Sequence, residues 1–155
     1  NAFSQLIDSG YDGLLILEDD VRPVENFESI FNKCIEELPN DWGILSLGYR
    51  DVYKKYYSSE CLIGKEKVCR MFQTGDNWGT LYRKDFLKHM LKDIENHKIL
   101  HGLSDTAIMS YALGNTGYDP IFKPYSIKAE IGSLFYHNND KGQSSIDNPQ
   151  KIYSK

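Results

Sequence analysis

The sequence lacks any apolar run close to the ~20 residues that a membrane-spanning helix needs. No signal-peptide pattern of basic start, apolar centre and small-residue cleavage site is visible either. Cysteine is scarce: only Cys34, Cys61 and Cys69 occur. An odd count at irregular spacing is not a disulfide framework, and no CxxC pair marks a zinc site. Cys61 and Cys69 could pair across a hairpin, but free, partly buried thiols are the plainer reading. There is no stripe of Lys and Arg interleaved with aromatics, and the net charge is −4. Both features argue against a nucleic-acid partner. Repeats, low-complexity tracts and internal linkers are missing as well.

What is present suits one domain spanning residues 1–155, with 41% hydrophobic residues to build its core. Aromatics reach 13%, including 11 tyrosines. A tyrosine can pack in a core, and it also suits a sugar face, offering an apolar plane and a hydroxyl. Residues Asn1–Ser9 read as the tail of a helix already under way. The expectation is therefore a fragment, or a processed form, of a longer chain.

Apolar periodicity outlines the elements. Ala2, Phe3, Leu6 and Ile7 recur at helical spacing up to Gly10. The run Gly13–Leu17 reads as a strand buried on both faces. Arg22-Pro23 signals a loop. Phe27, Ile30, Phe31, Cys34, Ile35 and Leu38 trace one helical face, ended by Pro39-Asn40. Trp42–Leu47 is a second buried strand closed by Gly48. A helix between two such strands predicts a right-handed parallel crossover, hence an α/β fold. Cys61–Ile63 and Val68–Phe72 flank Gly64-Lys65, which predicts a hairpin. A loop from Asp76 runs into a short strand at Leu81-Tyr82, followed by a helix over Lys84–Ile94. Another helix starts at Ser104-Asp105 and closes at Gly114. Ile121–Pro124 reads as a short or edge strand, and everything from Ile131 onward as loop.

The chemistry concentrates at Glu18-Asp19-Asp20, directly after the first strand. Ligands in open α/β sheets bind at the carboxyl ends of strands. Adjacent carboxylates at ~5 Å and an effective dielectric of ~20 repel by roughly 3 kcal/mol per pair. A divalent cation relieves that repulsion, and Mg²⁺ or Mn²⁺ is commonly held by one or two carboxylates plus substrate phosphates. The plain alternative is a solvated acidic loop. Two other acidic-strand folds are set aside. A phospho-receiver needs an Asp at the end of a later strand, where Leu45-Ser46-Leu47-Gly48 stands. A haloacid dehalogenase needs a nucleophilic Asp where Glu18 stands.

Five segments in order give the sequence a resemblance to the family 25 glycosyltransferases, which include lipopolysaccharide and collagen galactosyltransferases. They are Leu14–Val21 with its acidic triplet, Leu38–Gly48, Trp78–Lys84, Ser104-Asp105 and Gln143–Ile146. The sequence departs from the family at Gly43, where an Asp is usual. The resemblance implies a GT-A fold, Rossmann-like, here without the family's N-terminal strands. It implies a UDP-sugar donor, often UDP-galactose, a glycan acceptor, Mn²⁺ or Mg²⁺, and inversion at the transferred sugar.

Roles follow for single residues. Glu18, Asp19 and Asp20 face the donor, with Asp20, Glu18 and a C-terminal His137 as metal ligands. A lone loop histidine such as His137 is more often an ordinary surface residue. Gln143, Ser144 and Ser145 close on the diphosphate. Asp105 is the general base, taking the proton of the attacking acceptor hydroxyl; the bland reading is a helix N-cap. Trp78, Asp76 and Tyr49 line the acceptor, Trp78 as an exposed sugar platform or else as a core anchor. The competing function is a degenerate, non-catalytic domain that binds glycan or a partner protein. The expected location is cytoplasmic, with peripheral association to membranes carrying glycan intermediates; the Golgi or ER lumen is the alternative.

Overall fold

The structure is a computed structural model and describes residues 2–48, 59–62, 64–71, 78–97, 105–114, 121–128, 131 and 133–137. Its frame is a six-stranded mixed sheet. The strands lie in the order β1 (Gly13–Leu17), β6 (Gly79–Arg83), β3 (Trp42–Ser46), β7 (Lys123–Ile127), β5 (Val68–Met71) and β4 (Ser59–Cys61). β3 and β7 are parallel, while β1 and β3 each run antiparallel to β6. So β1, β3 and β7 point the same way and end at one edge of the sheet. β2 (Val21–Pro23) and β8 (Phe135–His137) form a separate antiparallel ribbon.

Side-chain alternation gives the sheet two buried faces. Leu45, Leu47, Leu81, Tyr125 and Ile127 join one core, with α2 (Phe27–Glu37) and the β2–β8 ribbon. Ile44, Met71 and Tyr82 join the other, with α1 (Ala2–Asp8), α3 (Lys84–His97) and α4 (Asp105–Ala112). Helices on both faces of a mostly central sheet make this a mixed α/β architecture. None of the described helices is long and apolar enough to cross a membrane.

Several sequence expectations hold. The hairpin forms, with Cys61 in register with Cys69 and Gly64 at φ +74° in its turn. That φ is where glycine has no Cβ penalty. Gly114, at φ +78°, follows α4 as expected. α3 is longer than its periodicity implied, reaching His97.

Others are corrected. β1 is not buried on both faces: it is the rim strand, with Ile16 37% and Leu17 44% exposed. β6 inserts between β1 and β3, so α2 does not connect neighbouring parallel strands. Arg22-Pro23 lies in a strand, where the ribbon's edge position tolerates proline. Lys123–Ile127 is an interior strand despite Pro124. The β3–β7 register shifts between Trp42 and Ile44, opposite Lys123 and Pro124, and that irregularity absorbs the missing N–H. Residues 135–137 are a strand rather than loop.

Gly43 sits where α3 presses on the sheet. A Cβ there would lie 2.8 Å from both Phe122 Cβ and Phe86 Cδ2. Close helix–sheet packing explains why glycine, and no aspartate, occupies this position.

Candidate functional site

The acidic triplet forms a turn between β1 and β2, at the edge where β1, β3 and β7 end. Glu18 and Asp19 are exposed and Asp20 is half-buried. The turn is short because the next residue, Val21, is anchored in the core at 5% exposure. The Val21 N–H donates to the Glu18 carbonyl at 3.5 Å, closing the turn. Arg22 Nη1 donates to the Val21 carbonyl at 2.9 Å and places a cation two residues beyond the last acid.

A chain of backbone hydrogen bonds fixes this edge. The Glu18 N–H donates to the Trp78 carbonyl at 3.4 Å, and the Leu47 N–H to the Gly79 carbonyl at 2.8 Å. The Leu134 N–H then donates to the Leu47 carbonyl at 2.8 Å, and the Val24 N–H to the Leu134 carbonyl at 3.1 Å. The acidic turn is thereby tied to the ends of β3 and of the ribbon. Gly79 makes the approach possible: a Cβ there would lie 2.5 Å from Phe135 Cε2.

The ribbon has a consequence for the predicted ligands. Its register sets His137 opposite Val21, next in sequence to Asp20. Val21 and His137, 116 positions apart in the chain, thus meet beside the acidic turn through their backbones. Asp105 is the first residue of α4. Trp78 is corrected as a sugar platform. It is 5% exposed and packs in the core with Leu47 and Phe135, so its ring supports the turn from below. Tyr49, Asp76, Gln143, Ser144 and Ser145 lie outside the described residues.

Sequence reasoning missed a row of hydroxyls just inside the same edge. Register aligns Thr80 with Ser46 and Ser46 with Ser126, and Ile16 of β1 lies opposite Thr80. All three hydroxyl residues are at most 2% exposed. Thr80 Oγ1 is buried with no hydrogen-bond partner among the described residues. Ser126 Oγ lies 3.3 Å from Cys69 Sγ. Small polar residues inside otherwise apolar strands were the available signal.

Other charged groups prove structural. Tyr125 donates its hydroxyl to Asp41 Oδ1 at 2.7 Å, and burial with that acceptor pushes the phenol up to about 12. Glu37 Oε2 accepts the backbone N–H groups of Lys67 and Val68 at 2.6 and 3.2 Å. Burial alone would raise the Glu37 carboxyl, but those donors, with Glu66 N–H and the Lys65 charge, hold it below the usual carboxylate range. Burial and the nearby Glu37 push the Cys34 thiol up to about 12, which keeps it an unreactive core residue.

Among the described residues no three His, Cys, Asp or Glu side chains converge into a metal-holding group. The donor chemistry of the turn still fits a hard divalent ion. Exposed carboxylate oxygens on Glu18 and Asp19 and a half-buried one on Asp20 are the ligand type Mg²⁺ and Mn²⁺ prefer. Such ions keep several positions for water and substrate phosphate, so a complete protein cage is not required. No protein-family model matches the sequence, and no curated protein matches it.

Proposed function

We propose that this chain is a metal-dependent glycosyltransferase of the GT-A type. It would move a hexose from a UDP-sugar to a glycan acceptor, with inversion. The observation that carries the reading is the acidic turn at the shared carboxyl edge of β1, β3 and β7, with His137 brought to it by the ribbon register.

In this reading Asp20, Glu18 and His137 hold Mn²⁺ or Mg²⁺. The ion, when bound, offsets the charge that develops on the diphosphate leaving group. Asp19 and residues Gln143 to Ser145 orient the donor. Asp105 takes the proton from the acceptor hydroxyl as its oxygen attacks C1 of the sugar. The new C–O bond forms on the face opposite UDP, the C1–phosphate oxygen bond breaks, and the configuration inverts. Ionised Asp105 is the state required of a base.

UDP release from a panel of UDP-hexoses with glycan acceptors tests this. Asp105→Asn keeps the shape and removes the base, and is expected to lower kcat by about 10²-fold or more. Full activity in that variant would remove Asp105 from the mechanism. If no UDP-hexose turns over while glycan binding survives Asp20→Ala, the chain is a non-catalytic binder.

A further inference from the structure

The opposite end of the sheet holds a polar concavity. Its volume is about 300 Å³, and Asp12, Asn40, Trp42, Arg83, Lys84 and Asp85 line it. Asp12 precedes β1 and Glu18 follows it. At ~3.3 Å per residue, Asp12 and Glu18 lie ~20 Å apart. The concavity therefore shares no residue with the acidic turn. It is also where two segments of the sequence resemblance meet, Leu38–Trp42 and Arg83-Lys84.

Arg83 is held in place there before any ligand arrives. Its Nη1 donates to the Asn40 carbonyl at 2.6 Å, and Nη2 lies 3.5 Å from Asp85 Oδ2. Its guanidinium lies 5.9 Å from the Trp42 ring centroid and 5.4 Å from that of Phe122. The Lys84 ammonium donates to the Ser9 carbonyl. Two cations held by backbone carbonyls and two exposed carboxylates thus line the concavity with a half-buried indole.

The geometry points to a binding site for a neutral sugar, separate from the acidic turn. A net anion or cation would meet as much repulsion as attraction from this lining. Each sugar hydroxyl both donates and accepts, so it can serve Asp12 or Asp85 on one side and Arg83 or Lys84 on the other. The half-buried indole, with the Arg83 guanidinium over its ring, adds apolar surface to the wall. A volume of about 300 Å³ falls at the small end of the range for small-molecule sites.

Two-dimensional NMR on the full chain tests the site with galactose and N-acetylglucosamine as neutral probes and sulfate as the charged one. The Trp42 indole N–H is assigned by its loss in Trp42→Phe. A saturable shift of that signal by a neutral sugar is expected, with about tenfold weaker binding in Asp12→Asn and in Asp85→Asn. Both aspartates are exposed, so neither variant endangers folding. No saturable shift, binding as tight as wild type in both variants, or a response to sulfate in place of sugar would overturn the assignment. The readout is binding at Trp42 rather than turnover, so failure of the transferase reading leaves the test intact.

Discussion

Glu37 shows how one side chain can join a helix to a hairpin. It ends α2 and accepts two backbone N–H groups at the start of β5. Glu37→Ala strands those donors and is expected to cost roughly 1–3 kcal/mol in chemical denaturation. Because its carboxyl is held below the ordinary value, Glu37 stabilises the fold above the unfolded-state pKa. That contribution is lost as pH falls through the folded-state value, so the gap between wild type and variant should close in acid. A gap that persists at low pH would mean the carboxylate charge plays no part. Gly43 is the complementary case, where the absence of a side chain matters. Gly43→Asp pushes a Cβ and a carboxylate against Phe86 and Phe122. Thermal unfolding should show a loss of roughly 1–3 kcal/mol or more. The sequence displayed Gly43 as a departure from the resembling family, but only the packing of α3 gives the reason.

Elements carried by local periodicity were legible in the sequence. α2 and α3 announced themselves by spacing, and the β4–β5 hairpin by Gly64 between two apolar runs. Elements defined by distant partners were not. β8 has three residues, and its partner β2 lies more than a hundred positions upstream, so no local pattern marks either. β7 was read as a short or edge strand ending at Pro124, because proline reads as a breaker until the irregular pairing with β3 is seen. The burial of β1 was overread because an apolar run does not say which strands flank it. The ribbon is the element with the most functional weight, since it seats Val21 and sets His137 beside the acidic turn. Phe135 anchors it at 1% exposure, 5.1 Å from the Phe27 ring. Phe135→Ala should cost roughly 3–5 kcal/mol by calorimetry. It should also weaken any ligand held at the turn, whereas unchanged ligand binding would detach the ribbon from the site.

On the scale of the whole molecule, strand direction organises the chemistry. Three co-directional strands end at one edge, and the acidic turn, the ribbon and a row of buried hydroxyls gather there. The acidic triplet was legible because three carboxylates after an apolar strand need a reason. The hydroxyl row and the His137 register were not, because each depends on pairing between strands far apart in sequence. Trp78 was ambiguous for the same reason: its neighbours in space, Leu47 and Phe135, decide that it is core. The polar concavity lies at the other end of the same sheet. On the proposed function, the acidic turn binds a nucleotide diphosphate through a divalent cation. Calorimetric titration with UDP, first with Mn²⁺ and then with EDTA, tests it most directly, on wild type and on Asp20→Ala. UDP binding is expected to need Mn²⁺, vanish with EDTA and fall at least tenfold in the variant. UDP binding that ignores both the metal and the substitution would contradict it.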